Sequence, residues 1–107
     1  MTRETTKITA KCPIRTTLEL VGGKWKLLIL SQLFSQDLRL SELKKQIPDI
    51  SEKMLIQELK ILVDSGLVIR KNYGEVPPRV EYSITKNGLN TTALIDAMVV
   101  FAKKYKN

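Results

Sequence analysis

The 107-residue chain has no histidine. That removes histidine-based general acid–base chemistry and histidine metal ligation. It has one cysteine, Cys12, so no disulfide can form within a subunit. No Gly-rich phosphate loop and no cysteine pair is present, and the carboxylates are scattered over faces that read as solvated. An enzyme is therefore not expected, and neither is a cofactor or a bound metal. Long apolar runs are missing as well. The longest, Leu27 to Leu30 and Ala97 to Ala102, are far too short to cross a bilayer. No N-terminal segment joins a positive stretch to an apolar one, so a cytoplasmic protein with no membrane partner is expected. There is no internal repeat, low-complexity tract or interdomain linker. The length fits a single domain over residues 1–107, with residues 1–10 as a mobile tail.

Positive charge is plentiful. Eighteen Lys and Arg face eleven Asp and Glu, for a formal net charge of +7. Such a balance suits a polyanionic partner, although solubility alone can explain it. Much of the excess lies at the two ends, with Arg3, Lys7, Lys11 and Arg15 at one and Lys103, Lys104 and Lys106 at the other. Residues 39–60 carry five basic against four acidic side chains.

The pattern from Leu40 to Tyr82 is more specific than the charge. Ser41 to Gln46 reads as a short helix with Ser41 as its N-cap. Pro48 ends that helix, and Ser51 caps a second one, Glu52 to Asp64, with Gly66 placed to close it in the left-handed conformation. Two β-branched and aromatic runs follow, Leu67 to Tyr73 and Val80 to Ile84. They read as a hairpin around a stiff Gly74–Arg79 tip, and Leu38–Leu40 is expected as a third strand against it. Helix, turn, helix and two-stranded wing make an α+β, mostly helical, winged helix-turn-helix.

The second helix separates its chemistry by face. Leu55, Leu59 and Leu62, with Val63 at the edge, form a docking stripe. Lys53, Ile56, Gln57, Lys60 and Asp64 lie opposite. In a helix-turn-helix this helix enters the major groove with its N-terminal residues at the base edges. Gln57 has the donor and acceptor that adenine N7 and N6 require in a bidentate pair, Lys53 can reach guanine or phosphate, and Ile56 can touch a thymine methyl. Arg39, Ser41, Ser51 and Lys60 join them as candidate DNA contacts. Arg79, flanked by Arg70 and Lys71, suits phosphates or a narrow minor groove. The plainer alternatives are a merely wetted polar face for the helix, and pairing of Arg79 with Glu75 or Glu81 inside the hairpin. A winged-helix module that binds other proteins in a larger assembly, without sequence-specific DNA binding, is the competing function. Retention of Ser51, Lys53, Gln57 and Lys60 on one free face argues against it.

Outside this motif, Pro13 opens a helix through Val21, with Cys12 at its cap and Gly22-Gly23 closing it. Lys24 to Phe34 is apolar around most of its circumference and belongs at the centre of the domain. A last helix, Lys86 to Tyr105 with Thr85 as cap, bears two apolar stripes. One is Leu94, Met98, Phe101 and Tyr105; the other is Ile95, Val99 and Ala102. One stripe can cover a monomer's core, whereas two suggest a second copy, so a homodimer on a near-palindromic operator of double-stranded DNA is expected. The wide stripe could instead wrap only its own core.

Cys12-Pro13, Gly22-Gly23-Lys24-Trp25, Ile50-Ser51-Glu52-Lys53-Met54-Leu55 and Glu75-Val76-Pro77-Pro78-Arg79-Val80-Glu81-Tyr82 resemble the signature blocks of the HxlR-type bacterial transcriptional regulators. These are small dimeric winged-helix proteins, more loosely similar to the MarR type. The resemblance runs from Cys12 to the C-terminal helix. It implies a DNA-binding regulator that dimerises through its outer helices. Ile56 and Lys60 stand where the family usually has Thr and Arg, which bears on the target sequence. The resemblance also implies a role for Cys12, because several similar proteins use a cysteine at the matching Cys-Pro position to sense oxidants or electrophiles. The helix dipole and the neighbouring Lys11 and Arg15 would favour a reactive thiolate there. The alternative is a buried cysteine packed as a small hydrophobe. The signal would then be a small molecule held between the last helix and the core.

Overall fold

A computed structural model describes residues 7–107. Six helices and two strands lie among them: α1 Pro13–Val21, α2 Lys26–Leu33, α3 Leu40–Gln46, α4 Glu52–Asp64, β1 Val68–Asn72, β2 Val80–Ile84, α5 Lys86–Leu89 and α6 Thr92–Lys106. Of the tail expected over residues 1–10, residues 1–6 lie outside the described part, and residues 7–10 are exposed.

α2 is the central helix. Its Ile29, Leu30 and Leu33 are buried, and around them pack Leu43 of α3, Leu55, Leu59 and Leu62 of α4, and Val68 of β1. Each fully buried side chain of this size contributes about 1.5–3 kcal/mol. The leucine stripe expected on α4 is therefore the side facing α2 and α3. Ser51 caps α4 as its sequence position implies, its Oγ accepting from the Met54 N–H at 3.1 Å. The helix ends in a Schellman motif: the Gly66 N–H donates to the Val63 carbonyl and the Leu67 N–H to the Leu62 carbonyl, each at 3.0 Å. This closure requires the left-handed backbone, and Gly66 supplies it with φ +77°.

β1 and β2 pair antiparallel, with Val68 opposite Ile84 and Asn72 opposite Val80. The expected third strand is reduced to one bridge. Leu38 and Tyr82 exchange both backbone hydrogen bonds, at 3.0 and 2.8 Å. Pairing stops there because Leu40 already belongs to α3.

Two helix boundaries differ from expectation. Ser41 is not the cap of α3; Arg39 occupies that position, and its N–H donates to Glu42 Oε1 at 2.8 Å. Only this half of a capping box can form, since a guanidinium has no acceptor to return. The long last helix is also two helices. Thr85 caps the short α5, its Oγ1 accepting from the Gly88 N–H at 3.0 Å. The chain then tightens through bonds from Asn90 to Asn87 and from Thr91 to Gly88 before α6 begins. The fixed point is Gly88, which packs so closely on the Leu67 carbonyl oxygen and the Ile84 side chain that a Cβ would collide with both. Among the described residues no helix is long and apolar enough to cross a membrane.

Candidate nucleic-acid interface

With one face of α4 committed to the core, its other face is fixed outward. Lys53, Ile56, Gln57, Lys60 and Asp64 are all exposed, and Ile56 is 49% accessible, a large value for an aliphatic side chain. Ser41 lies exposed in the first turn of α3, and Arg39 is exposed just before it. The turn between α3 and α4 is held by Lys44, whose Nζ donates to the Pro48 carbonyl at 2.9 Å, so this lysine is already engaged. A cleft of about 270 Å³ between α4 and the wing is lined by Ile56, Lys60, Val63, Arg70 and Tyr82. It brings Arg70 of β1 beside Lys60 of α4.

Lys71 is drawn elsewhere. Its Nζ donates to Asp37 Oδ2 at 3.0 Å and ties β1 to the segment before α3. The Asp37 carboxyl is held below its ordinary value by a hydrogen bond from Ser83 and by Lys71, and the Lys71 ammonium is favoured in turn by Asp37.

At the wing tip the intramolecular alternative for Arg79 is realised with Glu75, at 3.0 Å. The guanidinium also lies 3.9 Å from the centroid of the Tyr73 ring, and the Tyr73 hydroxyl donates to Glu81 at 3.1 Å. Arg79 Nε is buried without a hydrogen-bond partner. The tip thus holds its arginine in a fixed posture, with one edge still unsatisfied.

Besides the Lys71–Asp37 pair, a second charged pair goes beyond what the sequence suggested. Lys26 Nζ meets Glu58 Oε2 at 3.0 Å between α2 and α4. The signal was present, since Glu58 lies three residues after Leu55 and four before Leu62, inside the apolar stripe. An ionisable residue there calls for a partner.

Cys12 occupies the N-cap position of α1 but makes no side-chain cap bond, and it is only 2% exposed. Of the two readings of Cys12, the structure presents the buried one, with the side chain placed as a small hydrophobe. α6 shows the opposite. None of its residues is buried, and Met98, Val99, Val100, Phe101 and Tyr105 are all exposed, Phe101 by 70% and Tyr105 by 82%. Leu94 alone of the expected dimer stripe packs against the core. Among the described residues no group of three or more Cys, Asp or Glu side chains could hold a metal ion.

Known proteins share this arrangement. The profile of the HxlR-like helix-turn-helix family matches residues 20–107. YkvN of Bacillus subtilis, an uncharacterised HTH-type transcriptional regulator, is 46% identical over 94 residues, 88% of this chain and 80% of that protein. An uncharacterised HTH-type transcriptional regulator of Methanothermobacter thermautotrophicus is 42% identical over 94 residues, 88% of this chain and 72% of that one. Among solved structures, the redox regulator HypR in its oxidised form matches with a TM-score of 0.81 and 33% identity, over 87% of this chain and 96% of that one. Quinone-bound YodB from B. subtilis matches with a TM-score of 0.73 and 30% identity, over 85% of this chain and 96% of that one. The chain belongs to the HxlR-like helix-turn-helix family of DNA-binding transcriptional regulators.

Proposed function

We propose that this regulator binds a near-palindromic operator as a homodimer, each copy laying α4 in the major groove and its wing against the flanking backbone. The observation that carries this is the division of α4, with a leucine face in the core and Lys53, Ile56, Gln57 and Lys60 exposed together on the other. The three ion pairs among the described residues involve none of these lysines. Gln57 is the base reader and Ile56 an apolar contact. Lys53, Lys60, Ser51, Ser41 and Arg39 meet the backbone, and Arg79 meets phosphate or the minor groove. The dimer is supported by the uncovered apolar side of α6, where Met98, Phe101 and Tyr105 would be buried by a second copy. Residues 1–107 then act as one DNA-binding domain in the cytoplasm. Selection of duplexes from a randomised pool tests the reading: a symmetric consensus with half-sites one helical turn apart is expected, and recovery of no consensus would leave the protein-interaction reading in its place.

A second reading adds a signal. Structural relatives include a redox regulator in its oxidised form and a quinone-bound regulator. On this reading an oxidant or electrophile modifies Cys12. With one thiol per chain, a two-electron oxidant gives a disulfide between two chains or with a small thiol, and an electrophile gives an adduct on the sulfur. Oxidant should lower operator affinity in the wild type but not in Cys12→Ser. Equal responses would return Cys12 to packing alone.

A further inference from the structure

Glu58 is the only buried charged or polar residue among those described, at 8% exposure. It sits on α4 between Gln57 and the turn that carries Lys60, and its carboxylate is neutralised by Lys26 at 3.0 Å, with the two side chains 11% and 14% exposed. A pair this dry adds little net stability, because removing both charges from water offsets their attraction. What it supplies is direction. Leu55, Leu59 and Leu62 hold α4 to the core by non-directional contacts, and the Lys26–Glu58 pair adds a charge-assisted contact with α2 at one point on its circumference. A cleft of about 490 Å³ lined by Lys26, Met54, Gln57, Glu58, Lys60 and Ile61 joins the pair to the outward face of α4.

We propose that Lys26 and Glu58 are positioning residues that set the rotation of α4, and so determine where Gln57 and Lys60 point. This rests on the reading of α4 as the helix in the groove. The leverage is sufficient. At a side-chain radius of about 5–6 Å, a roll of about 10° moves a contacting atom by roughly 1 Å. A bidentate contact tolerates less than that, since its hydrogen bonds occupy a range of about 0.5 Å.

The test replaces both partners at once, Lys26→Met with Glu58→Leu, which leaves the net charge unchanged and avoids stranding a buried ion. Wild type and variant are titrated against a duplex selected by the wild type and a scrambled duplex of equal length, at one salt concentration. The variant should melt at or above the wild-type temperature and bind the scrambled duplex equally well. Its preference for the selected duplex should fall roughly tenfold for each half-site, the loss of one bidentate contact per copy. A folded variant that discriminates as the wild type does would overturn the inference. So would a variant that does not fold, because the pair would then be holding the fold rather than aiming a helix. Gln57→Ala, measured alongside, keeps the two readings apart. If it loses discrimination and the double variant does not, only the positioning role fails. If it is neutral while the double variant loses preference, the base-reading role of Gln57 fails and the positioning role stands.

Discussion

Truncating Gln57 to alanine removes an amide that no core contact needs, so its effect should appear in binding and not in folding. The expected loss on the operator is about 1–3 kcal/mol, with discrimination relaxed at one position in each half-site. Competition against single-position operator variants measures this, and a uniform loss on every sequence would show that Gln57 reads no base. Asp37 offers a test by pH. Its carboxyl lies below the ordinary 3.8 in the folded chain because Ser83 and Lys71 favour the charged form. A depressed carboxylate contributes stability above that ordinary value and loses it as the pH falls through the folded one. Asp37→Asn should therefore be less stable than the wild type near neutrality, by a small margin given the exposure of the pair. The difference should narrow as the pH falls below about 3.8 and vanish once the folded value is passed. Thermal melts at neutral pH and down through the acid range decide it, and a gap that does not narrow would place the role of Asp37 outside its charge.

Among the elements, the α5–α6 joint is the most sensitive to a single atom. Gly88→Ala should cost about 1–3 kcal/mol, because the new methyl meets the Leu67 carbonyl and Ile84, which cannot both move aside. Chemical denaturation checks it, and an unperturbed midpoint would mean that the joint yields freely. This joint also shows where the sequence stopped being readable. α4 was legible from Ser51 to Gly66 because a hydroxyl cap, a leucine period and a left-handed glycine are local signals. The wing was legible for the same reason, in its β-branched runs and stiff tip. The break after Leu89 was not, since it is imposed by a backbone contact with Leu67, twenty-one residues earlier in the chain. The Arg39 cap, the single Leu38–Tyr82 bridge and the Lys26–Glu58 pair are likewise products of packing. At the interface, the outward face of α4 followed from helical period alone, and the structure decides for the Glu75 partner of Arg79 that the sequence left open, while the capture of Lys71 by Asp37 needed three dimensions to be seen.

For the molecule as a whole, two measurements probe the assembly on DNA. If Lys53, Lys60, Arg70 and Arg79 meet phosphates in both subunits, operator affinity should drop roughly 10³–10⁵-fold between about 50 and 200 mM salt. A nearly flat salt titration would contradict that set of contacts. Replacing Met98 and Phe101 together with charged residues should give folded monomers, since burying an unpaired charge in an interface is costly. Those monomers should hold a single half-site weakly; light scattering that still finds a dimer would move the interface off α6. The clamp beneath α5 has a mechanical consequence for such a dimer. Thr85 Oγ1 donates to the Gly66 carbonyl at 2.7 Å, and Gly88 rests on Leu67, so the root of α6 is fastened to the residues that close α4. In such a dimer α4 would act as a lever pivoted at its C-terminal end, with Gln57 about midway along it and Lys53 near its far end. Over a length of about 20 Å, a tilt of about 5° at the fulcrum swings the free end by nearly 2 Å. Any event that re-seats one α6 against the other would thus arrive magnified at the DNA.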